Sequence, residues 1–155
     1  MRVLRVVYGL VLSLLCLSGS AAMGQDKKPT ADDVKELTVK ATQLVADKGI
    51  DAARTVFNQD GEFKYGEVYV NVIDGKGAWV IYPPKPEGVG KVILNLQDAD
   101  GKFLVQDILK MAADPGEGWI DYRWINPVSH QIQAKQSYVK KVGGTDYVVY
   151  VGIYK

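Results

Sequence analysis

Gly118-Trp-Ile-Asp-Tyr-Arg-Trp-Ile-Asn-Pro127, Ile132-Gln-Ala-Lys-Gln-Ser-Tyr-Val139 and Tyr147-Val-Val-Tyr-Val-Gly-Ile-Tyr154 are three strand-like runs that close the chain and carry most of its tyrosine and tryptophan. Alternate residues of a strand point to opposite faces, so Ile120, Tyr122 and Trp124 share one side while Asp121 and Arg123 share the other. One face of the resulting antiparallel sheet is aromatic and dotted with polar tips. Such a face either packs as an ordinary core or lines a small-molecule pocket.

Upstream, the pattern alternates between helix and strand. Thr30 with Asp33 forms a capping box, and Val34, Leu37, Ala41, Leu44 and Val45 recur at helical spacing, predicting a long helix that ends near Lys48-Gly49. A shorter helix over 51–57 buries Ala53, Val56 and Phe57. From Glu67 the period changes to two, and 67–73, the turn Asp74-Gly-Lys-Gly77 and 78–82 read as a hairpin stopped by Pro83, Pro84 and Pro86. Residues 88–96 read as a loop or irregular strand. Asp98 or Asp100 then caps a helix over 101–113 with Phe103, Leu104, Ile108 and Met111 inward, and Asp114-Pro-Gly-Glu-Gly118 ends it. The layout is α+β, with a long N-terminal helix on an antiparallel sheet of about five strands and a short helix between hairpin and meander.

The N-terminus speaks to compartment. Met1-Arg-Val-Leu-Arg5 is a basic segment, Val6 to Leu17 is apolar, and Ser20-Ala-Ala22 offers small residues for cleavage, so 1–22 reads as a signal peptide. The apolar run is short for a membrane span, which predicts a periplasmic or secreted protein with no stable membrane insertion after cleavage. The only cysteine, Cys16, lies within that segment, so no disulfide or thiolate site is expected beyond it. Cleavage removes Arg2 and Arg5 and no acid, taking the formal charge from +1 to −1. That balance gives no sign of nucleic-acid binding. Residues 23–30 read as a linker and 31–155 as one domain.

The order of these elements, together with Gly75-Lys-Gly-Ala-Trp-Val-Ile-Tyr-Pro-Pro-Lys-Pro86, the 98–102 helix entry, Gly116-Glu-Gly-Trp-Ile-Asp-Tyr-Arg-Trp124 and Val151-Gly-Ile-Tyr154, resembles the single Cache domain, type 2, over 31–155. The resemblance implies a PAS-like extracytoplasmic sensor fold that binds small molecules, often short carboxylates, on one face of its sheet. It also implies membership of chemotaxis receptors or histidine kinases. No second membrane helix or output domain follows in this sequence, so the expectation is an exported binding domain that acts with a separate membrane sensor kinase or chemoreceptor. Similar sequences often carry His-Pro where this one has Tyr82-Pro83, so a role for that imidazole does not transfer.

The residues expected to bind ligand are Tyr69, Tyr82, Tyr122, Trp124, Lys135 and Tyr138, with Asn71 beside Tyr69 on the hairpin. Tyr82 takes the position of the family's histidine, and Tyr122 and Trp124 flank the pocket in the resembling motif. Lys135 resembles the basic residue of the family's Pro-Lys-x-Ser-Tyr stretch, here Ala134-Lys-Gln-Ser-Tyr138. An ammonium in a partly apolar pocket attracts a carboxylate more strongly than in water. Alternation, however, sets Tyr138 opposite to Lys135. The alternative for each residue is plain: a core aromatic for the rings, a solvated lysine for Lys135, a surface pair with Asp121 for Arg123.

Catalysis has less support. His130, the only histidine, sits in a loop without a nucleophile motif, and no His, Asp and Glu cluster has metal-ligand spacing. No cofactor is expected. Two other functions stay open at this point: a protein-interaction module of the envelope without a small ligand, and a small α+β isomerase or hydrolase.

Overall fold

The computed structural model describes residues 28–155, so the signal peptide expected over 1–22 and most of the 23–30 linker lie outside the described residues. The first helix, α1, runs Ala31–Lys48 and opens on the expected capping box, with the Asp33 amide donating to Thr30 Oγ1 and the Thr30 amide donating back to the Asp33 carboxylate. Its stripe of Val34, Leu37, Ala41 and Val45 is buried. A second helix, α2 (Ile50–Asn58), buries Ala53 and Phe57 but leaves Val56 38% exposed, against expectation.

Six strands make one antiparallel sheet in the order β1-β2-β6-β5-β4, with β3 also paired to β2. They are β1 (Lys64–Tyr65), β2 (Val68–Ile73), β3 (Trp79–Ile81), β4 (Glu117–Ile125), β5 (Ile132–Lys141) and β6 (Val148–Tyr154). The last strand of the meander thus pairs with the first hairpin strand, Val70 to Val151 and Val72 to Val149, and closes the two halves into one sheet. The two-residue strand β1 was not expected. Gly77, at φ +75°, supplies the left-handed residue that the β2–β3 turn needs.

The two faces of the sheet have separate cores. On one, α1 and α2 lie over Val68, Val70, Val72, Val149, Val151 and Tyr138. Each of these fully buried valines stabilises the fold by about 1.5–3 kcal/mol in transfer terms. On the other face, Ile73, Ile120, Tyr122, Val139, Val148 and Tyr150 meet the third helix, α3 (Leu104–Ala113). Phe103 is 41% exposed rather than inward.

The chain between β3 and α3 folds back over this second face. A single 3-10 turn, Pro86–Gly88, starts the return, and Gly90 N–H then donates to the Trp79 carbonyl while Trp79 N–H donates to Lys91. Asp98 does not cap α3, whose N-cap Phe103 has no side-chain hydrogen bond. Instead its carboxylate accepts from the amides of Asp100 and Lys102 at 2.9 Å and of Arg123 at 3.0 Å, which ties the loop to β4. Burial pushes the Asp98 carboxyl up, but these three amides and the Lys102 charge outweigh it and hold its pKa below the ordinary value. A depressed carboxyl contributes stability that is present at neutral pH and lost as pH falls through its folded pKa. Asp98→Ala should therefore cost about 1–3 kcal/mol at pH 7 and far less in acid. Equal losses at pH 7 and at pH 3 in denaturant melts would argue against that role.

Candidate functional site

The loop, α3 and the second face of the sheet enclose a small cavity. Its polar wall is Tyr69, Asn71, Tyr82, Tyr122, Trp124 and Tyr150. Trp79, Ile93, Leu96, Leu104 and Val105 form the apolar side. The free space among these side chains is about 10 Å³, no more than the room of a single water.

Strand geometry explains how hairpin residues reach this wall. The β2–β3 register shifts between Val72 and Ile73, so that Ile73 pairs with Trp79 and Val72 with Ile81. A bulge of this kind re-aims side chains. Trp79 and Tyr82, three residues apart, thereby come to one face and stack, ring centres 4.2 Å apart and planes 6° from parallel.

The direction of the hydrogen bonds matters more than their number. Trp124 Nε1 donates to Tyr82 Oη at 3.2 Å, and Trp79 Nε1 donates to Tyr150 Oη at 3.4 Å. An indole N–H only donates, so each of these phenol oxygens is an acceptor there and keeps its own proton free to give. Burial raises the pKa of Tyr82, Tyr150 and Tyr122, which keeps all three protonated at neutral pH. Tyr122 Oη shares a 2.9 Å bond with Ser137 Oγ.

Beside this wall lies a buried cation. Lys135, 1% exposed, donates to Tyr69 Oη at 2.8 Å and to Tyr154 Oη at 3.2 Å, and its Nζ sits 4.0 and 4.4 Å from the centres of the same two rings. Tyr154 Oη in turn donates to the Ile125 carbonyl at 2.8 Å. Burial pulls the Lys135 pKa down to about 7, and the Glu67 carboxylate pulls it partly back. Glu67 is itself held by Asn126 Nδ2 at 2.9 Å, and its Oε1 meets no donor among the described residues. No carboxylate of the described residues lies within ion-pair distance of Lys135, whereas the surface lysines Lys102, Lys140 and Lys155 each have one.

Of the residues expected at the site, Tyr69, Tyr82, Tyr122 and Trp124 line the cavity, as does Asn71. Lys135 stands behind Tyr69 rather than at the cavity edge. Tyr138 is not brought to the site: it faces α1, packs edge-on against Trp119 at 5.0 Å and lies under Lys35. Strand alternation dictates that outcome, since Tyr138 pairs with Trp119 and Val151 on the helical face. Arg123 pairs with Asp100 at 3.3 Å, and Asp121 pairs with Lys155 at 2.8 Å. His130 is exposed. Trp79, Tyr150, Tyr154 and Ser137 belong to the site but were not singled out. The i, i+2, i+4 spacing of Tyr150, Gly152 and Tyr154 carried the signal for two of them.

Among the described residues, no group of three or more His, Cys, Asp or Glu could hold a metal ion, and no helix is long and apolar enough to cross a membrane. The family model described as Single Cache domain 2 matches residues 31–155. Among solved structures, a methyl-accepting chemotaxis protein from Vibrio parahaemolyticus aligns with a TM-score of 0.70 at 20% identity, over 79% of this chain and 86% of that one. A periplasmic sensor domain of a chemotaxis protein aligns with a TM-score of 0.65 at 25% identity, over 79% and 88%. A Cache chemosensory domain, solved for the structural basis of its carboxylic acid recognition, aligns with a TM-score of 0.64 at 19% identity, over 79% and 86%. The α+β fold is therefore the PAS-like one of extracytoplasmic sensor domains, which are not enzymes, and the chain belongs to the single Cache domain 2 family.

Proposed function

We propose that this domain is exported, binds a small carboxylate in the cavity beneath the 83–103 loop, and passes its bound state to a membrane sensor kinase or chemoreceptor. The observation that carries the reading is the buried Lys135 ammonium, which has phenol oxygens around it but no ion-paired carboxylate. A ligand carboxylate would accept from the Tyr82 and Tyr150 hydroxyls and would feel the ammonium through Tyr69. The signal-peptide pattern of 1–22 supports export, and the carboxylic acid recognition of a similar Cache domain supports the ligand class. The cavity as it stands holds about one water, so even a short carboxylate enters only when side chains of its aromatic wall shift aside.

A thermal-shift screen of the purified protein against short carboxylates, amino acids, amines and purines tests this directly. A carboxylate at a hundred times its dissociation constant should stabilise the protein by about 2.7 kcal/mol. Shifts from amines or purines alone would sink the carboxylate reading.

The pH dependence has a defined sign. Lys135 is charged in the free protein below about pH 7, and an anion beside it raises that value in the complex. Between the two values, binding takes up a proton and affinity should fall by up to about tenfold per pH unit as pH rises. Titrations at pH 6 to 9 in buffers of different ionisation enthalpy measure both. Affinity that does not weaken above pH 7 would show that the ammonium takes no part.

The near-filled cavity favours one other reading, an envelope interaction module that needs no small ligand. Capture of one stoichiometric membrane partner by ligand-free protein, with no thermal shift across the panel, would favour it.

A further inference from the structure

We infer that the cavity selects a carboxylate that carries its own hydrogen-bond donor, a small 2-hydroxy or 2-amino acid, with Asn71 Oδ1 as the acceptor for that donor. This rests on the carboxylate reading above and makes it narrower.

Asn71 lines the cavity and is 1% exposed. Its Nδ2 donates to the Tyr150 carbonyl at 3.4 Å, and turning the amide over would set oxygen against oxygen. The orientation is therefore settled by the neighbour. Oδ1 is buried and meets no donor among the described residues. A buried acceptor left without a donor is costly, so its presence in a folded core calls for a partner. An acceptor in that condition, on a residue that lines the cavity, suits the N–H or O–H of a ligand.

The rest of the wall has the opposite character. The Tyr82 and Tyr150 hydroxyls accept from the indoles of Trp124 and Trp79, so each offers a proton. Tyr150 is also the cross-strand partner of Asn71, which places donor and acceptor on neighbouring side chains of one face. A bare carboxylate only accepts. It would satisfy the two tyrosine protons and leave Asn71 Oδ1 dry and unpaired. A hydroxyl or ammonium on the carbon next to the carboxylate supplies the missing donor within one small molecule. The apolar side, with Ile93 and Leu104, suits a short alkyl remainder.

The test is isothermal titration of the purified protein with matched pairs that differ only in the donor: glycolate against acetate, and lactate and alanine against propionate. The donor-bearing member should bind at least about tenfold tighter, because sites built to hydrogen-bond a group reject the analogue that lacks it. Asn71→Leu should erase the difference by weakening lactate at least about tenfold more than propionate. The ligand comparison on the unmodified protein needs no variant, so it decides the matter even where Asn71→Leu fails to fold. Propionate bound as tightly as lactate and alanine would overturn the inference and leave the carboxylate reading standing. No binding by any acid of either kind would overturn the carboxylate reading and this inference with it.

Discussion

Replacing Lys135 by methionine should make the ligand-free domain more stable at pH 6 and at the same time abolish its response to carboxylates. The pKa of Lys135 falls from the ordinary 10.5 to about 7 on folding. Below pH 7 the side chain is charged both folded and unfolded, and the shift converts to a cost on the order of 5 kcal/mol for carrying the charge into the protein. The unfolded chain binds the extra proton between about pH 7 and 10.5, so stability rises with pH across that window. Methionine has a similar stem and no charge. It forfeits the bonds to the Tyr69 and Tyr154 hydroxyls, about 1 kcal/mol each, so a net gain of about 1–3 kcal/mol is expected at pH 6. That corresponds to several degrees in melting temperature for a domain of this size. The gain should shrink towards pH 9, where the unmodified protein has shed its proton. Comparing the two proteins at each pH cancels groups that titrate in both. Carboxylate affinity should drop at least a hundredfold, about 3 kcal/mol, through loss of the cation. A variant less stable than the parent at pH 6, or a constant difference from pH 6 to 9, would mean that the folded domain does not carry Lys135 as an uncompensated charge.

Stability sacrificed for an unpaired cation is what a binding site looks like, and it bears on how much of this protein could be read beforehand. Periodicity alone placed α1 with its Thr30 and Asp33 box, and alternation paired Tyr122 with Trp124 on one strand and Lys135 with Ser137 on another, while the β4–β5 register sets both pairs on one face. These are local rules, and local patterns suffice for them. Four features are not local. The shift of register at Val72 and Ile73 depends on which strand pairs with which, and it decides that Trp79 joins Tyr82. Asp98 looks like a helix cap until Arg123, twenty-five residues later, is seen to donate to it. The pocket's position follows from the return of 83–103 over the sheet, a segment whose prolines and glycines carry no periodic signal. Tyr138 was drawn towards the site by its motif, although the alternation of its own strand pointed it at α1.

The fourth is Gly152, whose replacement by alanine should cost the domain about 1–3 kcal/mol and dislodge Lys135. Gly152 lies opposite Ser137 on β5, two residues from Tyr154, which pairs with Lys135. A Cβ there would stand 2.2 Å from Ser137 Oγ, 2.7 Å from Lys135 Cε and 2.9 Å from the Gln136 carbonyl oxygen. The lysine stem therefore crosses the sheet over the glycine to reach Tyr69 and Tyr154, and only a hydrogen leaves it room. Serine can turn aside, but the lysine can yield only by withdrawing Nζ from its two phenols, and the Gln136 carbonyl only by moving the strand. Gly152→Ala should thus weaken carboxylate binding together with stability. The double variant Gly152→Ala, Lys135→Ala tests the cause, because residues in contact are not additive. With the stem gone, the alanine at 152 should cost at least about 1 kcal/mol less than it does in the parent. Strictly additive losses in denaturant melts would show that the strand itself, and not the path of Lys135, requires the glycine.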